Sequence, residues 1–284
     1  MVHPGKWFRA SVMALLACVV PFASMAVYAA ENPLLAAFHQ FRISNFTALN
    51  AYYRFSVNGD TDTLNEIVAA INDANSQIKQ VDAVSDDILK ADQIAGLNTE
   101  FDKYKDLMRQ NINDVRKNGY PDLRLVSDMA NQAQALSSTS AELYDIVRTN
   151  NNVKTDERVE AARAAAVLMA QMMSKYSARS TSSVSQTFQG ADTEQPLDEQ
   201  AHAFDEQMSK VTRGNPSGEL RAALSNVASK WAFIRGSYIN YNDNNVSFVI
   251  DRYSKEILKQ LAEAIALMTD SGAPQQATAQ ASGN

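Results

Sequence analysis

Apolar side chains in this chain recur every three or four residues and almost nowhere alternate, a spacing that lines one face of a helix and gives a strand no core side. Leu64, Ile67, Ile71, Ala74, Ile78 and Val81 form one such seam, with Thr63 and Glu66 spaced as a capping box at its start. Leu97, Phe101, Tyr104, Met108, Ile112 and Val115 form a second. It stops at Asn118, Gly119, Tyr120 and Pro121, where glycine permits a left-handed cap and proline cannot continue a helix. Val126, Met129, Ala133, Leu136, Ser140, Leu143 and Val147 make a third. Ahead of these, Pro33 to about Val57 is rich in aromatics (Phe38, Phe41, Phe46, Tyr52, Tyr53, Phe55) and ends at Asn58 and Gly59. The pattern predicts an all-α fold.

After the polar break Asn150, Asn151, Asn152 the pattern begins again, with helices expected near Asp156 to Phe188, Pro196 to Arg213, Ser217 to Tyr241 and Asn245 to Met268. Four helices with short turns make an antiparallel bundle. The expectation is therefore two tandem antiparallel four-helix bundles, elongated, at 30–150 and 151–269. FDKYKDLM with KNGYPDL in the first half echoes FDEQMSKV with RGNPSGEL in the second, which is compatible with duplication. The segment 270–284 lacks an apolar face and is expected to be a disordered tail.

At the N-terminus, Lys6 and Arg9 precede an apolar run from Ala10 to Phe22, and small residues follow. This is the pattern of a secretory signal peptide, 1–29, with Val27 and Ala29 at the −3 and −1 positions of a cleavage site. The rival reading is an uncleaved inner-membrane anchor from Ser11 to Ala30. Cys18 is the only cysteine, so a cleaved chain folds without disulfides or thiolate metal ligands. Lys and Arg total 26 against 32 Asp and Glu, and loss of Lys6 and Arg9 takes the formal charge from −6 to −8. Nucleic acid is excluded as a partner by that balance, and the periplasm is the expected compartment.

The run Ala164 to Tyr176, AAAVLMAQMMSKY, is nearly free of charge. Arg163 and Lys175 bracket it too closely for a membrane span. Met169, Met172 and Met173 lie within one turn, and thioether sulfur suits Cu(I). The simpler reading is a core seam of Val159, Ala162, Ala166, Met169, Met173 and Tyr176, in which methionine fills gaps and alanine permits close helix approach. Catalytic motifs are absent: there is no P-loop, zinc-protease helix, lipase elbow or calcium loop. His39 with Arg42 one turn later has the chemistry to hold an anion, although a partly exposed helix pair explains it as well; His202 stands among Asp198, Glu199, Asp205 and Glu206, a solvated acidic face. No enzyme activity, metal or cofactor is expected.

The densest chemistry lies in WAFIRGSYINYNDNNVSFVIDRY, Trp231 to Tyr253. Trp231, Arg235, Tyr238, Tyr241, Arg252 and Tyr253 are the candidate ligand or partner site, since aromatics and arginine dominate binding hot spots. The same residues also suit the packed end of a bundle, with Asn245 as a helix cap.

VLMAQMMSKY resembles a run in the helical sensor domain of type IV pilus chemotaxis transducers, the PilJ-type domain, which is related to nitrate-sensing histidine kinases. FDEQMSKVTRGN and LRAALSNVASKWAFIR resemble the family's following helices, so the likeness covers about 156–239. Where that family carries an Arg-Gln-Arg cluster, this chain has Ala165, Ala166 and Val167; Gln171 and Lys175 are the polar positions retained. The resemblance implies a ligand-binding or signal-receiving bundle facing the periplasm, acting through an envelope or inner-membrane signalling or pilus protein, with room for a small-molecule ligand or a homodimer. The alternative is a structural adaptor of an envelope or pilus assembly with no small ligand.

Overall fold

In the computed structural model the described residues are 32–85, 88–150, 155–181, 195–243 and 245–270. The expected leader at 1–29 and the expected tail at 270–284, apart from Asp270, lie outside them. Among the described residues the periodic segments form eight helices and no strand: α1 Pro33–Asn58, α2 Thr61–Val84, α3 Ala91–Asn118, α4 Leu123–Asn150, α5 Glu157–Ser180, α6 Leu197–Val211, α7 Gly218–Ile239 and α8 Ser247–Asp270. None is long and apolar enough to cross a membrane.

The helix ends follow local chemistry. Asn32 Oδ1 accepts from the amides of Leu34 and Leu35, with Pro33 in the first turn where no amide donor is needed. Gly59 and Gly119 close α1 and α3 at φ 65° and 81°, the left-handed region that glycine enters without penalty. One cap differs from expectation. Thr63 and Glu66 do not form a capping box, because α2 starts earlier: Asp60 is its N-cap and accepts from the Thr63 amide at 2.8 Å. Those bonds hold the Asp60 carboxyl below its ordinary pKa. Glu66 is thereby released for a tertiary role. Helix α5 ends at Ser180 rather than near Phe188; residues 182–194 lie outside the described set.

Packing departs most from the seam expectation at α1 and α5. The residues Val159, Ala162, Ala166, Met169, Met173 and Tyr176 are all buried, but so are Ala161, Arg163, Ala165, Val167, Ala170, Met172, Ser174, Ser177 and Ala178. Fifteen of the 24 residues of α5 are buried against six of 24 in α2, so α5 is enclosed on nearly every side. Helix α1 is enclosed likewise. The contacts explain why. Helix α1 packs on α2 and α4, with α3 closing against α4 and α2; α5 packs on α6 and α8, with α7 closing against α8 and α6; and α1 and α5 pack against each other. Ala170 and Ala178 of α5 join the core built by α1 to α4, while Met169, Met172 and Tyr176 join the core shared with α6, α7 and α8. Small side chains on one face let the backbones approach, and methionines fill the other.

A polar clasp sets the register of this central contact. Asn50 Nδ2 donates to Asp251 Oδ1 at 2.8 Å, and Ser177 Oγ donates to Asn50 Oδ1 at 2.6 Å, which links α1, α8 and α5. Asp251 also pairs with Lys255 at 2.9 Å and Arg54 at 3.4 Å. Glu66 of α2 receives both Arg54 and Lys255. Two acids and two bases balance, and each buried polar atom named here has a partner.

Candidate functional site

Trp231, Arg235 and Tyr238 stand at i, i+4 and i+7 on α7, which places them on one face, and that face turns inward. Trp231 Nε1 donates to Asp205 Oδ1 at 2.7 Å, and Arg235 donates to Asp205 Oδ2 from Nε at 2.8 Å and Nη2 at 2.7 Å. One carboxylate on α6 thus holds two α7 side chains. Trp231 stacks between Phe204 and Tyr238, at centroid distances of 4.5 and 5.8 Å, and Tyr238 meets the edge of Tyr176 at 5.6 Å. Tyr238 is fully buried and its hydroxyl bonds Ser254 Oγ at 2.8 Å; burial pushes its pKa well above the ordinary tyrosine value. These three residues close a core. They line no cavity among those described.

Arg252 and Tyr253 lie on the opposite side. With Ser229, Lys230, Phe233 and Glu256 they line an open groove of ≈ 570 Å³ between α7 and α8. The Phe233 and Tyr253 rings are 4.8 Å apart, and Phe233 remains 63% exposed. Phe248, in the first turn of α8, is 75% exposed. Tyr241 sits in a third place, a small notch of ≈ 230 Å³ with Tyr176, Arg179, Ser180, Asn242 and Asn245. There the Arg179 guanidinium lies 4.0 Å from the Tyr241 ring centroid and donates to Asn242 Oδ1 at 2.7 Å. Asn245 caps α8 as expected, accepting from the Ser247 amide at 3.2 Å.

Gln171 and Lys175 are apart from all of these. They share with Ala164 and Leu168 the one stripe of α5 that is only partly buried, and Lys175 Nζ donates to the Gln195 carbonyl at 2.8 Å. The eight candidate residues are therefore distributed over a core stack, an outer groove, a notch and the α5 stripe. His202 is an exposed helix residue, 3.9 Å from Asp205 and 3.4 Å from Arg235. Among the described residues no group of three or more His, Cys, Asp or Glu side chains is placed to hold a metal ion.

Comparison with protein-family models, curated proteins and solved structures gives no match. Phe233 and Phe248 are the residues that sequence reasoning passed over. Phe233 was legible: two positions after Trp231 on a helix is a turn of about 200°, so a face with Trp231 inward puts Phe233 outward. Phe248 gave no such signal, because Val246, Val249 and Tyr253 around it are all partly buried.

Proposed function

We propose that this is a non-enzymatic exported helical protein that works by docking an envelope partner, an inner-membrane signalling or pilus protein, along the outer α7–α8 face. The observation that carries the reading is the groove itself, where Phe233 is left in solvent beside Tyr253 and the cations Lys230 and Arg252, with Phe248 exposed in the first turn of α8. Exposed aromatics grouped with arginine mark partner surfaces more than they mark core. The groove cations outnumber Glu256 on a chain whose formal charge is −6, so the complementary partner is a segment carrying apolar side chains flanked by carboxylates. Phe204, Trp231, Tyr238 and Tyr176 pack ring against ring, and of these four only Tyr176 also lines one of the cavities described, the notch at Tyr241. This favours the adaptor over a sensor that reads a molecule inside the 151–269 half.

Within the proposal, residues 1–29 are a cleaved leader, 30–150 and 151–269 are two bundles joined through α1 and α5, the second is PilJ-like, and the compartment is the periplasm. The test places a photo-crosslinking phenylalanine analogue at position 233 in living cells. A cross-linked envelope protein that, once purified, binds the wild-type chain in a salt-dependent way and loses binding to F233A and F248A supports the reading. Stability in both variants is expected within about 0.5 kcal/mol of wild type, because the side chains are outside the core. Cross-links only between copies of this chain make the face a homodimer contact and overturn the partner.

A further inference from the structure

Helices α3 and α4 carry another groove, opposite in charge to the one on α7 and α8. It is an open cavity of ≈ 440 Å³ between the start of α3 and the C-terminal half of α4. Leu97 and Leu143, both buried, and the half-buried Ile146 form its floor, while Asp92, Glu100 and Glu142 form its rim; no cation lines it. Gly96 completes the lining. Glycine inside a helix is less favourable than alanine, yet a Cβ at Gly96 would meet nothing within 4 Å. Packing within the chain therefore gives no reason for a glycine there, whereas close approach of a partner side chain does.

At the other end of the same two helices, the α3–α4 turn has the complementary character. Tyr120 is 66% exposed and Leu123 39%, and Arg116, Lys117 and Arg124 around them are exposed as well. The one acid of the stretch 116–124, Asp122, is occupied as a helix cap: its Oδ1 accepts from the amides of Arg124 and Leu125 at 2.9 and 3.2 Å. Elsewhere on α3 and α4 charges pair within their own helix, Asp102 with Lys105, Asp106 with Arg109 and Asp145 with Arg148. Among the described residues, neither the three groove acids nor the three turn cations form an ion pair.

We infer that this groove receives the α3–α4 turn of a second copy of the chain. An apolar floor with an acidic rim matches Tyr120 and Leu123 ringed by cations, and opposite charge across the contact selects the pairing. Groove and turn lie about 20 residues apart on α3, which is roughly 30 Å along its axis. Two copies laid antiparallel along α3 and α4 bring each turn to the other's groove. One two-fold axis then makes both contacts at once, and the assembly closes as a dimer. The α7–α8 groove contributes no residue to this contact, and neither reading rests on the other.

Sedimentation equilibrium of the purified chain over a concentration series tests it, with two charge-reversed variants, D92K/E142K in the groove and R116E/R124E in the turn. Wild type is expected to pass from monomer to dimer, and to do so less readily as sodium chloride is raised. Each reversed variant alone is expected to associate at least about 10-fold more weakly. An equimolar mixture of the two restores association, because the basic turn of one then faces the acidic groove of the other, and the acidic turn the basic groove. G96L places a side chain where the groove is open, and is expected to weaken association about 10-fold or more while keeping wild-type helix content. K259E, at an exposed position on α8, leaves association unchanged. A single-chain mass at every concentration, equal association by the reversed variants, or a mixture no better than its components overturns the inference. Should a reversed variant fail to fold, the comparison of wild type with G96L decides the matter.

Discussion

His39 gives the chain a steep response to mild acid. The imidazole is partly buried on α1, and burial, then Arg163, then Arg42 lower its pKa from 6.5 to about 3. The charged groups that act on it are Arg163, which is itself bonded to Tyr144 and Glu160, and Arg42. A depressed folded-state pKa means that the unfolded chain takes up the proton first, so the stability from a neutral His39 is complete above pH 6.5 and is lost as pH falls towards 3. Each tenfold difference in proton affinity is worth about 1.4 kcal/mol, so between about pH 7.5 and pH 5 the loss from this one group is about 2 kcal/mol. That figure holds for any folded-state pKa below about 4, because at pH 5 the folded ring is still neutral. For a chain of this size it corresponds to a fall of about 4–8 °C in Tm. The assay is urea unfolding of wild type and H39Q across that range, since the difference between them cancels every carboxylate that both contain. Wild type is expected to lose about 2 kcal/mol more than H39Q. Parallel curves, within about 0.5 kcal/mol, refute the claim that the imidazole is held neutral by its surroundings.

Two further perturbations test the packing. D251A removes the acid that Asn50, Arg54 and Lys255 share, leaving Glu66 as one carboxylate against two cations; a loss of about 2–4 kcal/mol is expected, and D251A with K255M should recover part of it in the same urea titration. M172A opens a cavity in the core shared by α5 to α8, where Met172 is fully buried; a cost of about 2–5 kcal/mol is expected in thermal unfolding, against about 1.5 or less for M172L, which conserves volume.

Local chemistry was legible residue by residue. The apolar spacing of Leu97 to Val115 specifies a helix because a period near 3.6 puts all six side chains on one face, and Gly119 ends it because a left-handed residue suits no larger side chain. The Trp231, Ile234 and Tyr238 seam was equally clear, and with it the inward face of α7. The candidate site was legible only in part, since residues close in sequence were taken as close in space. Arg235 and Arg252 flank the same turn, yet one is clamped by Asp205 on α6 and the other is exposed and lines the outer groove.

What the amino-acid order determined by itself was the set of eight helices, their caps at Asn32, Gly59 and Gly119, and the stripe each must bury, because those depend on neighbours three and four residues away. Tertiary structure decided that α1 and α5 sit at the centre, that Glu66 answers Arg54 and Lys255 rather than capping its own helix, and that Arg42 of α1 donates to Ser137 of α4. Asn50 and Asp251 lie 201 positions apart in the chain, and no local periodicity reports on a partner at that distance. Which stripe meets which is settled by volume and charge matched across the whole core.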